Sequence, residues 1–315
     1  MGFWFTLNLA GFISIDVIGI PGNIIILGSF IHTVLCTRKI TTAEIILCKL
    51  ALSNLLVVLT WGLPLSIQAS GMHQVFDDLT CQICLFLYCV GRAMSVSITS
   101  LLGCFQCITI DPFPQRWITL KQSILQHLYH IMFALWCFNC LISSTRLMYS
   151  QAHFNSTNTK YVMSYDFCVV VFPSNLLYLG NGIIYVIRDL FFLSLMTLSS
   201  GYLLLIFYQH GKHTRCLHTL QKKPAEMQAA KAVVTLVIMY IVSFGLDNMF
   251  WIITLSTYPI SPRFTDARIF FDSCYSAISP IVIILTNKKI QLGLKCIKKK
   301  REIHRVNTIS RYLEN

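Results

Sequence analysis

The chain has 315 residues, 55% of them hydrophobic and only 12% charged, against about 25% charged in soluble globular domains, so water alone is excluded as its solvent. Its formal charge of +12 does not indicate nucleic acid as a partner, because the basic residues sit in short segments between apolar runs and not on one soluble face. Thirteen cysteines suggest no disulfide scaffold, since most of them, Cys89, Cys104, Cys107, Cys137, Cys140 and Cys274 included, fall inside apolar stretches and read as small buried hydrophobes.

Seven apolar runs follow in chain order, at approximately 9–35, 45–69, 79–110, 123–147, 182–209, 229–257 and 264–287. A helix rising 1.5 Å per residue needs about 20 residues to cross a hydrocarbon core about 30 Å thick. The expected fold is therefore all-α: one domain over 1–315, built as a bundle of seven membrane-spanning helices. The first run begins almost at Met1 with no basic segment before it and reads as a retained signal anchor.

Of the 25 Lys and Arg residues, 19 fall on one side of this alternation and six, Arg92, Arg146, Lys160, Arg188, Arg263 and Arg268, fall elsewhere. The 19 gather at Arg38 to Lys49, at Arg116 and Lys121, from Lys212 to Lys231, and from Lys288 onward. Cytoplasmic flanks carry the basic excess, which places the C-terminus in the cytoplasm and, for an odd number of spans, the N-terminus outside. The connection 148–181 is then extracellular. It contains the glycosylation acceptor Asn155-Ser156-Thr157 and the single cysteine Cys168, both suited to an oxidising lumenal side. The segment from Lys288 to Ile297 alternates apolar and basic residues at helical spacing, so a short amphipathic helix against the membrane lipids is expected after the last span.

In the third run, Asp78-Leu79-Thr80-Cys81, then Arg92, then Leu101-Leu102-Gly103-Cys104-Phe105-Gln106-Cys107-Ile108-Thr109-Ile110-Asp111-Pro112 form a long motif. With Leu50-Ala51-Leu52-Ser53-Asn54-Leu55-Leu56, Ser199-Ser200-Gly201 leading to His210, and Ala277-Ile278-Ser279-Pro280-Ile281, the chain resembles the vomeronasal type 1 receptors, within the rhodopsin-like superfamily. Lys49, Thr80, Ala93 and Asp111 depart from the usual residues and point to a divergent member, similar to the related fish olfactory subgroup. Phe105, Gln106 and Cys107 stand where the wider class carries an acid, an arginine and a tyrosine, so its ionic lock is absent. Asn54 and Ser279 replace residues of that class's sodium site.

The resemblance implies a chemosensory, pheromone-type G-protein-coupled receptor that binds a small extracellular molecule within the bundle and activates a heterotrimeric G protein. It also implies a disulfide between Cys81 and Cys168; two free thiols, or pairing of Cys168 with Cys84, are the alternatives. Gln106, Ile110 and Pro112, with the loop from Gln209 to Lys223, are the positions implied for G-protein coupling. Bitter-taste-type receptors share the size and topology, and a small transporter or channel is a rival of another class. The first lack the Phe105 to Ile110 run, and the second would show paired repeats around a midplane site.

Charges inside spans are rare and mark functional sites by default. Arg92 is eleven residues past Cys81, Asp247 ten before Thr257, and Asp272 nine after Arg263. All three then lie about 14 to 17 Å below the outer surface and can share a cavity. Tyr88 and Trp251, each one turn from a charge, supply aromatic walls, so Tyr88, Arg92, Asp247, Trp251 and Asp272 form the candidate ligand-binding set. The equal alternative is a structural ion pair of Arg92 with Asp247 or Asp272.

His210, His213, Cys216 and His218 fit no closed zinc pattern. The chain carries no phosphate-binding glycine loop, no Gly-x-Ser-x-Gly elbow and no zinc-protease motif. No cofactor, metal or enzymatic activity is implied.

Overall fold

The computed structural model describes residues 2–37, 40–69, 77–110, 114–152, 162–165, 168–214, 224–256, 262–287 and 289–293. They form α1 (Gly2–Thr37), α2 (Thr42–Val57), α3 (Leu63–Ala69), α4 (Asp78–Ile110), α5 (Pro114–Ser143), α6 (Thr145–Tyr149), α7 (Asn175–Thr214), α8 (Pro224–Ser256) and α9 (Pro262–Thr286). Among the described residues, five stretches are long and apolar enough to cross a membrane: Ala10–Cys36, Thr42–Ile67, Asp78–Ile110, Ile118–Tyr149 and Asn175–Gln209. In α8 and α9 the described apolar stretches, Lys231–Leu246 and Ser273–Thr286, are shorter. Several helices outrun the apolar runs that mark them in the sequence: α1 starts at Gly2 and not near 9, α5 at Pro114 and not near 123, α7 at Asn175 and not near 182. Backbone hydrogen bonding continues a helix past the residues that make it apolar.

Proline shapes the bundle at two places. Pro64 lacks an N–H, and its ring crowds the carbonyl of Thr60; between α2 and α3 the helix widens into a π turn, Val58–Gly62. That turn buries Trp61. Pro280, inside α9, leaves the carbonyl of Ser276 without its helical donor. Asn23 of α1 supplies one, its Nδ2 donating to Ser276 O at 3.2 Å and to Gly19 O at 2.8 Å.

The central pillar is α4, which packs against α2, α5, α7 and α8. Small residues bring the helices close: a Cβ at Gly91 would meet Ser53 O at 3.2 Å, and one at Gly103 would meet Ser199 Oγ at 2.6 Å. Around α4 the main apolar core includes Ile26, Leu50, Ile98, Leu102, Met196, Leu236 and Ile283.

One end is closed by a feature that an all-α expectation omits, a three-stranded antiparallel sheet. It comprises β1 (Ser150–Gln151), β2 (Val162–Ser164) and β3 (Val169–Val171), in the order β1-β3-β2. Ser150 pairs with Val170 and Met163 with Val170 across the central strand. Cys168, beside β3, is bonded to Cys81 in the first turn of α4. Asp77 caps that turn, its Oδ1 accepting from Thr80 N at 3.0 Å. The sheet is tied to α4 twice more: Ala152 N donates to Asp78 Oδ1 at 2.7 Å, and Gln82 Nε2 to Ser150 O at 3.1 Å.

At the other end Thr41 and Glu44 form a capping box on α2, with Thr41 N donating to Glu44 Oε2 at 2.7 Å. Lys289 Nζ lies 2.8 Å from Glu44 Oε1. Residues 289–293 are helical, begin on Asn287 Oδ1, and bury Ile290 in the main core. This is the start of the amphipathic segment expected after the last span; 294–315 lie outside the described residues.

Candidate functional site

Three described charged side chains converge inside the bundle. Arg92 of α4 lies 3.6 Å from Asp189 Oδ2 of α7, and Arg188 lies 2.7 Å from Asp189 Oδ1 through Nη2 and 2.9 Å through Nε. The Arg188 and Asp189 side chains are 3% and 5% exposed, Arg92 20%. An isolated buried ion loses several kcal/mol of hydration, so one carboxylate serving two guanidiniums is what makes either tolerable at this depth. A small chamber of about 10 Å³, room for about one water, is lined by Arg92, Ser95, Tyr240, Ser243, Phe244, Tyr275 and Ser276.

The expected ligand set is only partly described. Arg92 lines the chamber. Tyr88 is buried but turned to Trp61, with ring centroids 4.4 Å apart and planes at 27°, so it belongs to the packing beneath the disulfide. Asp247 and Trp251 lie in α8 and Asp272 in α9, with side chains outside the described residues. One partner of Arg92 is Asp189, which sequence reasoning passed over. Its signal was present: Arg188-Asp189 is a charged dipeptide inside the apolar run 182–209, where any charge marks a site.

A neutral lattice adjoins Arg92 one turn along α4. Ser95 Oγ donates to Asn54 Oδ1 at 2.6 Å, and Asn54 Nδ2 donates to Ser279 Oγ at 2.8 Å. Thr99 Oγ1 contacts Tyr275 Oη at 2.8 Å and donates to Ser95 O at 2.7 Å. Thus α2, α4 and α9 are joined by hydrogen bonds that need no charge.

A third buried cation was counted in the sequence but given no role. Arg146 of α6 is 5% exposed; its guanidinium lies 5.1 Å from the Tyr185 ring centroid and 6.0 Å from that of Phe172. Arg188 lies 4.7 Å from the same Tyr185 ring. Cation–π contacts are worth about 0.5–2 kcal/mol, short of the several kcal/mol that burying an ion costs.

At the opposite end a cavity of about 580 Å³ runs from Thr41 and Glu44 past Phe105, Gln106 and Lys121 to Ala232, Ile283 and Lys289. Gln106, one of the expected coupling positions, lines it. Ile110 does not: it is buried with Leu203, Ile206 and Val234. Pro112 and Asn155 lie outside the described residues.

Comparison with known proteins identifies the family. The model of the vomeronasal organ pheromone receptor family matches residues 9–295. Olfactory receptor class A-like protein 1 of Danio rerio is 35% identical over 286 residues, covering 90% of both chains. Vomeronasal type-1 receptor 3 of Homo sapiens is 24% identical over 89% of this chain and 91% of its own, and vomeronasal type-1 receptor 90 of Rattus norvegicus is 25% identical over 91% and 93%. With an apolar helical bundle, a Cys81–Cys168 bridge and a match to the family over nearly its whole length, the chain belongs to the vomeronasal organ pheromone receptor family, a family of receptors and not of enzymes.

Proposed function

We propose that this chain is a chemosensory receptor of the plasma membrane with seven spans, an extracellular N-terminus and a cytoplasmic C-terminus. A small molecule enters beside the Cys81–Cys168 bridge and binds within the bundle at Arg92, with Asp189, Asp247, Trp251 and Asp272 around it. The observation that carries the reading is the Arg92–Asp189–Arg188 cluster against a chamber between α4, α8 and α9. Arg92 is held by a carboxylate at 3.6 Å, a loose pair that a ligand carboxylate replaces with a planar two-point contact. A ligand that prefers the opened arrangement shifts the helices toward it. The inner ends, with Gln106 on the 580 Å³ cavity, then engage a heterotrimeric G protein.

Ligand-stimulated nucleotide exchange on co-expressed G protein, with Arg92→Lys and Arg92→Ala compared at equal surface expression, tests this. Both variants should respond only at higher ligand concentration, by about 2–5 kcal/mol for loss of a buried charge pair. Unchanged responses in both remove Arg92 from the site; ion flux without nucleotide exchange would make the chain a channel or transporter. Asn155→Gln should increase gel mobility in a receptor that reaches the surface, because the acceptor triplet lies in the loop assigned to the outside.

A further inference from the structure

The ligand site leaves one group of buried polar atoms unused, and they gather along one seam. Buried side-chain atoms lacking a hydrogen-bond partner among the described residues include Ser143 Oγ, Arg146 Nε, Ser150 Oγ, Asn181 Oδ1, Tyr185 Oη and Arg188 Nη1. These six belong to the α5–α6–β1 corner and the facing turns of α7. Tyr185 stands between the two guanidiniums and faces Ser143.

We propose that Arg146, Tyr185 and Arg188 form a buried site for a small monovalent anion, a halide or a carboxylate group, beneath the strand hairpin. The charge balance argues for it. Asp189 is the carboxylate of Arg188 and Arg92, whereas Arg146 meets no carboxylate among the described residues; its Nη1 reaches Met163 Sδ at 3.7 Å, and it also meets the neutral Tyr185. Aromatic faces attract the cation without neutralising it, and a water molecule would satisfy an N–H yet leave the charge. An anion does both. Four of these buried groups are able to donate to it: Arg146 Nε, Arg188 Nη1 and, by turning their O–H from one another, the hydroxyls of Tyr185 and Ser143. One uncompensated guanidinium calls for one negative charge, and the burial of these atoms calls for a small ion. The site is separate from the chamber at Arg92 and does not depend on the receptor's ligand.

The test is thermal unfolding of the full-length receptor in nanodiscs, followed by tryptophan fluorescence. Sodium chloride or sodium acetate is titrated at constant ionic strength against isethionate, an anion too large for a sealed site. The midpoint should rise saturably with chloride, acetate or both; acetate alone assigns the site to carboxylates, chloride alone to halides. Arg146→Met should abolish the dependence and unfold no lower than wild type in isethionate, because apolar volume replaces an unpaired buried charge. Tyr185→Phe keeps the ring and loses one donor, and should raise the half-saturating concentration about tenfold. A wild-type midpoint indifferent to both anions overturns the proposal, as does an undiminished response in Arg146→Met. If Arg146→Met does not fold, an unshifted half-saturation in Tyr185→Phe overturns it. Loss of anion binding with nucleotide exchange intact would remove this site and leave the chemosensory reading standing.

Discussion

Two polar regions lie one turn apart along α4 and are built on opposite plans. In the neutral lattice of Asn54, Ser95, Ser279, Thr99 and Tyr275, amide, hydroxyl and carbonyl find one another at 2.6 to 2.8 Å. In the charged region one carboxylate serves two guanidiniums, a third meets no carboxylate among the described residues, and buried donors are left over. A satisfied neutral network fixes one arrangement of helices, since each bond lost strands its partner. An under-neutralised charged region gains by admitting a further group. The first holds α2, α4 and α9 in register; the second suits the ligand exchange proposed above.

The largest loss is expected for Asp189→Ala. It strands Arg188 and removes one partner of Arg92, and should destabilise by about 3–5 kcal/mol, read as lost surface expression or a depressed unfolding midpoint in purified receptor. Asp189→Asn keeps an acceptor and should lie between Ala and wild type; a stability equal to wild type for Ala would show that Asp189 is not the countercharge. The lattice should give smaller, graded losses. Asn54→Ala leaves Ser95 Oγ without its acceptor and Ser279 Oγ without its donor, at about 1–3 kcal/mol for each group left unsatisfied, measurable by the same unfolding assay. Thr99→Val removes the partner of Tyr275 Oη and should cost about 1 kcal/mol; a larger effect than Asn54→Ala would mean the two halves of the lattice are not equivalent. The smallest change is expected for Lys289→Ala. Its Nζ is 2.8 Å from Glu44, but the lysine side chain is 59% exposed, and such pairs contribute about 0–1 kcal/mol in solvent.

The helical, apolar character of the chain and its family are legible in the residues alone. Long apolar stretches interrupted by basic segments need no tertiary information, because in hydrocarbon a backbone must satisfy its own hydrogen bonds and a helix does so within one segment. The motifs around Cys81, Phe105-Gln106-Cys107 and Ser279-Pro280 carried the resemblance, and with it came the Cys81–Cys168 pairing that the structure contains. Sequence also singled out Arg92, because a charge in an apolar run is conspicuous wherever the helix faces. Which residue Arg92 meets was decided only by tertiary structure, as were the turning of Tyr88 onto Trp61 and the burial of Arg146 between Phe172 and Tyr185. In water an apolar stripe tells which face of a helix points inward. Here lipid and core are equally apolar, so α7 is hydrophobic all round and its sequence does not fix its rotation; only packing against α4, with Gly103 admitting Ser199, turns Asp189 toward Arg92.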